Sequence, residues 1–559
     1  MNVLHYHESR SSACHPSGAG SSTETVVYFI LTVVGFSFWF MMAVPFACHR
    51  ETYSWLATIN SHDLSYAFAN SMSVTYRPLS QATTWLAFLV LDPHKFPTSM
   101  LRQSALQIFV YALFLLGWWL IYRAVRQRRA LAVVSFLAGG VFFSGYIHLF
   151  HIYGLMYVPV MLMVGALLGE HARGTFRRRQ AWLAALGLLL ALWHPFATAL
   201  FVGFYVGFYV ETFSERSKVE HLQALTVLFV SMMLSLGLGI VGARKDAATM
   251  SLHTRFLGLL MSYQTTEINR LASVVALLLA LIVVYSMNLS RRVKVMSALI
   301  VLAVSVVFTM KGLPLLFVWI SAIVIKLVRT QAWSVLSLMV AAALLPFGGG
   351  IGTPMFALFA IIVAVYGTVI GWSESEILLS VVKPRYVVVV TIALISVVLM
   401  VRAGIRTPII TRVANPLLSE RERTYQLETI LTWLHSSDYC RFRIAFAANG
   451  GSPIDSVDNV ITRRNRPPAD IDDVTKFWNT VLSCHSQHGT DEARATALIT
   501  FGSPAPGGLT QVFKVDGKYA GEAAVWVSAK SWGQECPTYK VVDAVQSSFV
   551  SAEMVGHRN

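Results

Sequence analysis

Long apolar runs separated by short polar segments dominate the chain up to about residue 400, and the pattern changes after that point. The first run covers 26–47. Others cover 105–122, 131–150, 155–168, 181–192, 197–210, 224–241, 271–289, 295–309, 315–325, 335–346, 355–372 and 386–401. A helix rises about 1.5 Å per residue and the hydrocarbon core of a bilayer is about 30 Å thick, so one crossing takes about 20 apolar residues. The pattern predicts about thirteen crossings, the shortest runs being brief for that role.

From residue 404 to 559 charged residues, Asn, Ser and Gly return, over about the length of one ordinary soluble domain. Helical patterning occurs at 419–436 and 470–486. Apolar or alternating stretches at 442–448, 495–501, 510–515 and 522–529 predict strands. The expected architecture is a polytopic α-helical membrane protein with a C-terminal α/β domain. No repeat of 20 to 50 residues stands out in either part.

Composition agrees with the pattern. Of 559 residues, 55% are hydrophobic and only 13% charged, against about 25% charged in soluble domains. The net charge of +15 would suggest nucleic acid as a partner in a soluble chain. Here the cations sit in short segments between apolar runs: 123–129, 173–180, 215–221, 291–294, 326–329 and 383–385. With a cytoplasmic N-terminal tail (1–25), all six fall on one side, as the positive-inside rule requires. The charge therefore sets orientation and gives no nucleic-acid footprint. An odd number of crossings puts 404–559 outside the cytoplasm. The 25 residues before the first run are too many for an ordinary signal peptide and "VPFAC" is a poor lipoprotein cleavage box, so that run reads as an uncleaved anchor.

Cys440, Cys484 and Cys536 lie in the tail, where an oxidising compartment permits one bridge, and spacing leaves all three pairings open. "SCHSQH" (483–488) holds the only local grouping with a zinc-like look, and an ordinary bridge or buried thiols explain it better. "GGGIG" (348–352) follows no strand and is not a phosphate loop.

The longest and most polar loop of the membrane part is the first outer one, 49–104. It carries His62, Asp63, Tyr76 and Arg77, and its stretch 76–97 has an amphipathic segment closed by a proline-bounded turn, as expected of a helix lying along the interface. An Asp at that depth is solvated, paired or used. Asp63 also suits the N-cap of a short helix at "DLSYAFAN", and Arg77 suits pairing with a lipid headgroup or Asp92. Other outer polar groups are His148 and His151, three apart and on one helical face, and Arg244, Lys245, Asp246, His253 and Arg255 in the stretch 242–256. The histidines also fit as interface anchors and the loop cations as solvated charge. His194 stands before Pro195, where a break in the helix is the simpler reading.

An N-terminal span, an outer loop with an early acid, then "YRPLSQ" and a "DPHKFP" segment before the next span resembles the membrane-embedded glycosyltransferases of the GT-C fold. The similarity is to the branch of protein O-mannosyltransferases and their bacterial relatives. It covers about the first 125 residues in detail and the rest in layout only. The resemblance implies transfer of a sugar from a polyprenyl-phosphate donor to a glycan, lipid or protein acceptor on the outer face of a membrane, expected here to be a bacterial inner membrane. It implies Asp63 as the catalytic base. His62, Tyr76, Arg77, His148, His151, Arg244, Lys245 and Arg255 become candidate substrate contacts, with Arg77 suited to grip phosphate oxygens bidentately. Relatives often carry two adjacent acids where this chain has His62 then Asp63, a departure from a carboxylate pair around a divalent cation such as Mg or Mn. His62 is then a metal ligand or a group orienting Asp63. A transporter or flippase of lipid-linked saccharide, and a polysaccharide polymerase or ligase, are the competing classes. Few charges inside the spans and no evident half-repeat count against the transporter. The early position of the polar loop counts against the polymerase.

Overall fold

Most of the apolar runs become helices in the computed structural model. It describes residues 22–43, 64–65, 78–90, 100–145, 154–173, 187, 193–242, 251–266, 270–349 and 355–372, and in the C-terminal part 426, 429, 430, 433, 442–446, 495–501, 509–517 and 521–528. The helices are α1 (Ser22–Ala43), α2 (Pro78–Val90), α3 (Met100–Tyr122), α4 (Arg128–Gly145), α5 (Gly154–Arg173), α6 (Pro195–Glu211), α7 (Lys218–Gly242), α8 (Leu252–Thr266), α9 (Arg270–Ser286), α10 (Arg291–Met310), α11 (Leu316–Arg329), α12 (Trp333–Gly349) and α13 (Met355–Val369). Among the described residues, three stretches are long and apolar enough to cross a membrane: Ala105–Tyr122 in α3, all of α5 and all of α10. Shorter apolar stretches lie in α1, α6, α9, α12 and α13. The chain is thus mostly helical with the lengths of a helical membrane protein. Of the expected spans, 181–192 (apart from Gly187) and 386–401 lie outside the described residues.

Two helices occur where no crossing was expected. Helix α2 falls on the amphipathic segment. Helix α8 replaces the second half of what reads as a polar loop: Ser251 accepts from the Thr254 backbone N–H through Oγ (3.1 Å) and so caps it. The basic segment 326–329 is also no loop, since Lys326 and Arg329 form the last turn of α11.

Side-chain pairings fix the relative direction of the helices. Phe29 meets Trp119 and Tyr122 while Phe36 meets Phe114 and Trp118, so α1 and α3 run antiparallel. Arg129, at the start of α4, lies over Tyr28 near the start of α1. His171 bonds Tyr366 (2.8 Å), joining the last turns of α5 and α13. Glu211, ending α6, accepts from the N–H and hydroxyl of Ser334 at the start of α12 (2.9 and 3.0 Å). Each of these joins ends that the basic segments assign to the same side.

Two helix pairs approach closely through glycine. In α5 the pair Gly165 and Gly169, and in α6 the pair Gly203 and Gly207, are each four apart on one face. A Cβ on Gly165 would overlap the Gly117 carbonyl of α3, and one on Gly207 would overlap the Trp333 carbonyl of α12. Packing of bare backbone lets these helices gain dispersion contacts in a medium where lipid is as apolar as leucine.

Proline supplies a second organising device. Pro159 inside α5 has no N–H for the carbonyl four residues back, that of Leu155. The indole N–H of Trp193 donates to that carbonyl (3.2 Å) and docks the start of α6 on the start of α5. Pro346 similarly interrupts α12, and the Tyr263 hydroxyl of α8 donates to the neighbouring carbonyl of Ala343 (3.1 Å) while its ring packs on Phe317 of α11. At the other end of the bundle Lys326 is buried, and its amino group donates to the Ser286 hydroxyl (2.7 Å) and the Thr368 carbonyl (2.6 Å), tying together the last turns of α9, α11 and α13. A cation at a helix C-terminus also meets the negative end of the helix dipole.

In the C-terminal part four strands form one sheet of order β1-β2-β4-β3: β1 (Phe442–Phe446), β2 (Ala495–Phe501), β3 (Leu509–Val515) and β4 (Ala523–Ser528). β1 is parallel to β2, and β4 is antiparallel to both β2 and β3. A parallel neighbour requires a crossover connection, for which residues 447–494 are long enough. Gln426, Ile430 and Trp433, spaced four and three apart on helical backbone, face the sheet. Gln426 donates to the carbonyls of Gly521 (2.6 Å) and Val515 (3.3 Å), and Trp433 stacks on Phe513 at 4.4 Å. Lys514, between Asp516 (3.1 Å) and Glu522 (2.8 Å), has its pKa raised, first by the hydrogen bond to Glu522 and then by that to Asp516. The three tail cysteines and the predicted helix 470–486 lie outside the described residues.

Candidate functional site

Of the candidate residues, His62, Asp63, Tyr76, Arg77, His148, His151, Arg244 and Lys245 lie outside the described residues. Their immediate neighbours are described in two places. Leu64 and Ser65, which follow Asp63, are helical and exposed. Pro78, which follows Tyr76 and Arg77, is the first residue of α2, where its fixed φ and missing N–H suit helix initiation.

Helix α2 does not have the orientation expected of an interfacial helix. Ser80, Gln81 and Thr84 are 0%, 1% and 0% exposed, while Leu86 is 53% exposed. The polar residues at i, i+1 and i+4 turn into the protein together with Ala82 and Trp85, where α2 packs against α5, while Leu86 stays exposed. The buried surface of α2 is therefore mixed, three polar side chains beside Ala82 and Trp85 (9% and 3% exposed). Thr84 Oγ1 donates to the Ser80 carbonyl (2.8 Å). The Ser80 hydroxyl is buried with no partner among the described residues. Gln107, on α3, is a further buried polar side chain of this early region. The alternation of Ser80, Gln81 and Thr84 with apolar neighbours was visible in the sequence, but the face that would be buried was not.

Arg255 is half-buried on α8, in register with Leu259 and Ser262, which turn toward the bundle. His253 is on the exposed side. These two loop residues therefore differ in burial, Arg255 partly covered and His253 exposed. His194 is buried, its ring 5.3 Å from that of Tyr157, and its carbonyl accepts from the Ala197 N–H (2.9 Å). It stands at the start of α6 beside Trp193, so the "WHP" sequence closes a helix junction, as its proline suggested. Among the described residues no three His, Cys, Asp or Glu side chains are grouped as for a metal.

Comparisons with protein-family models, with curated proteins and with solved structures return no match for this chain.

Proposed function

We propose that the protein is an integral membrane glycosyltransferase with a GT-C-like helical domain, using a polyprenyl-phosphate-linked sugar as donor and a glycan, lipid or protein on the outer face as acceptor. The observation that carries the reading is α2. It begins one residue after Arg77 and buries the polar side chains Ser80, Gln81 and Thr84 in the protein while Leu86 stays exposed. An enzyme that draws a sugar phosphate out of the bilayer needs polar groups held inside the protein beside its donor, which these side chains would supply.

In this reading the Asp63 carboxylate takes the proton from the acceptor hydroxyl as its oxygen attacks the anomeric carbon. The bond from that carbon to the phosphate oxygen breaks, and polyprenyl phosphate leaves with the electron pair, its charge met by Arg77. Inversion at the anomeric carbon follows from a single displacement. The membrane domain spans 26–403 in about thirteen crossings with its N-terminus cytoplasmic, and 404–559 forms an extracytoplasmic domain that engages acceptor. The test is transfer of labelled sugar from a polyprenyl-phosphate donor by purified wild type and Asp63→Asn at equal folded fraction. Positioned general bases contribute about 10²- to 10⁴-fold, and the variant is expected to lose activity on that scale. Equal rates in the two would leave Asp63 a helix cap and remove the proposed mechanism.

A further inference from the structure

The second half of α8 is held at one end of the bundle. The Tyr263 hydroxyl donates to the Ala343 carbonyl (3.1 Å), and its ring packs on Phe317. Phe317 is in the first turn of α11 and Ala343 is toward the end of α12. Both are therefore away from Lys326, which ties together the last turns of α9, α11 and α13. From Thr266 the chain has only residues 267–269 in which to reach Arg270, the start of α9 and so the same end. A chain covers at most about 3.6 Å per residue, which keeps Thr266 within about 14 Å of Arg270. The 15 residues of α8 rise about 22 Å, short of the about 30 Å of a hydrocarbon core.

The first half of α8 is largely uncovered. Leu252, Phe256 and Leu257 are 74%, 52% and 40% exposed, and exposed His253 shares their side of the helix. Gly258 and Ser262 are buried on the other side, where α8 packs against α12, α13 and α4. At the start, the exposed Ser251 hydroxyl bonds that of Thr254 (2.9 Å) and accepts from its N–H (3.1 Å). Hydrocarbon would strip solvent from His253 and from this polar turn, whereas water would face three large apolar side chains. The boundary between headgroups and acyl chains accommodates both, the apolar side chains reaching inward and the imidazole staying among the headgroups.

We propose that α8 is an interfacial helix whose partner is the bilayer surface: Leu252, Phe256 and Leu257 lie among the upper acyl chains of the leaflet away from Lys326. The sequence reads 242–256 as a loop of solvated charge and places an interfacial helix at 76–97 instead. This assignment rests on the helix joins and the exposed side of α8, and it does not depend on the transferase reading.

The experiment uses full-length wild type in phosphatidylcholine proteoliposomes. They carry a lipid with a photoactivated carbene source either beside the glycerol backbone or at the acyl terminus, and modified residues are located by mass spectrometry. The shallow probe is expected to modify Leu252, Phe256 and Leu257 severalfold more than the deep one. Leu299 and Ile300, exposed midway along α10, provide the deep reference. Phe256→Asp, a change at an exposed position, is expected to reduce shallow labelling of α8 severalfold while labelling of α10 stays as in wild type. Stronger labelling of α8 by the deep probe would place it inside the hydrocarbon and overturn the proposal. So would the absence of lipid labelling, whether with oxidation of α8 by aqueous hydroxyl radicals or with protection by residues 404–559 or a second copy.

Discussion

Replacing Trp193 by Phe keeps an aromatic ring and removes one N–H, the one that reaches the Leu155 carbonyl at 3.2 Å. That carbonyl lost its ordinary partner because residue 159 is proline. A buried acceptor left unsatisfied costs about 1–3 kcal/mol, whereas a hydrogen bond exchanged for an equivalent one changes stability little. Leu155 and Trp193 are in well-packed surroundings, so water is a poor substitute. Trp193→Phe is therefore expected to destabilise by about 2 kcal/mol from the orphaned carbonyl, beyond a smaller packing loss. In a Pro159→Ala background the amide of residue 159 donates to the same carbonyl. There the tryptophan substitution should cost only its packing part, leaving a coupling of about 1–2 kcal/mol in the double-mutant cycle. The assay is reversible unfolding of the purified protein in mixed micelles, each variant followed by tryptophan-independent circular dichroism. Equal costs of Trp193→Phe in the two backgrounds would refute the reasoning, because the indole and the proline would then act separately.

Other outcomes follow from the same packing. Lys326→Met keeps the stem but strands the Thr368 carbonyl, and is expected to lower stability by about 1–3 kcal/mol, read as a lower unfolding midpoint in detergent. Gly207→Ala puts a Cβ into the Trp333 carbonyl and should cost about 1–3 kcal/mol or separate α6 from α12, detectable by cross-linking between the two helices. Ser80→Ala removes a buried hydroxyl that has no partner among the described residues, so stability should hold or rise while sugar transfer falls if that hydroxyl serves the donor. Lys514 has a raised pKa in the fold, so its bonds to Glu522 and Asp516 contribute at neutral pH and that contribution fades only as the pH rises above about 10.5. Titrating amide exchange of β3 in wild type and Lys514→Met checks this, the variant lacking the alkaline step.

Hydrophobic period carried much of the fold. Runs of apolar residues predicted the helices that became α3, α5 and α10, and alternation predicted all four strands, with β2 matching its predicted range of 495–501. Burial on one face is what periodicity can report. Helix α8 has a weak sequence signature because Arg255, His253, Ser262 and Gln264 dilute its apolar stripe, and its cap at Ser251 is the clearest local signal. Lys326 read as a topology-setting loop charge because sequence shows that a cation follows an apolar run, not that its stem folds back among α9 and α13. The pairing of Trp193 with the gap left by Pro159 spans 34 residues and depends on two helix starts meeting, which no local pattern encodes. The inward face of α2 was undetermined for the same reason: a spacing of three and four defines a stripe, and only its neighbours decide whether the stripe meets water, lipid or protein.

The most direct measurement is made in sealed proteoliposomes loaded with a radiolabelled polyprenyl-phosphate sugar and supplied with an outer-face acceptor. Free polyprenyl phosphate and glycosylated acceptor appearing in equal amounts, with wild type but not Asp63→Asn, is the predicted result. Intact donor moving between leaflets with no cleavage of its sugar–phosphate bond would contradict the account and make the protein a carrier of lipid-linked saccharide.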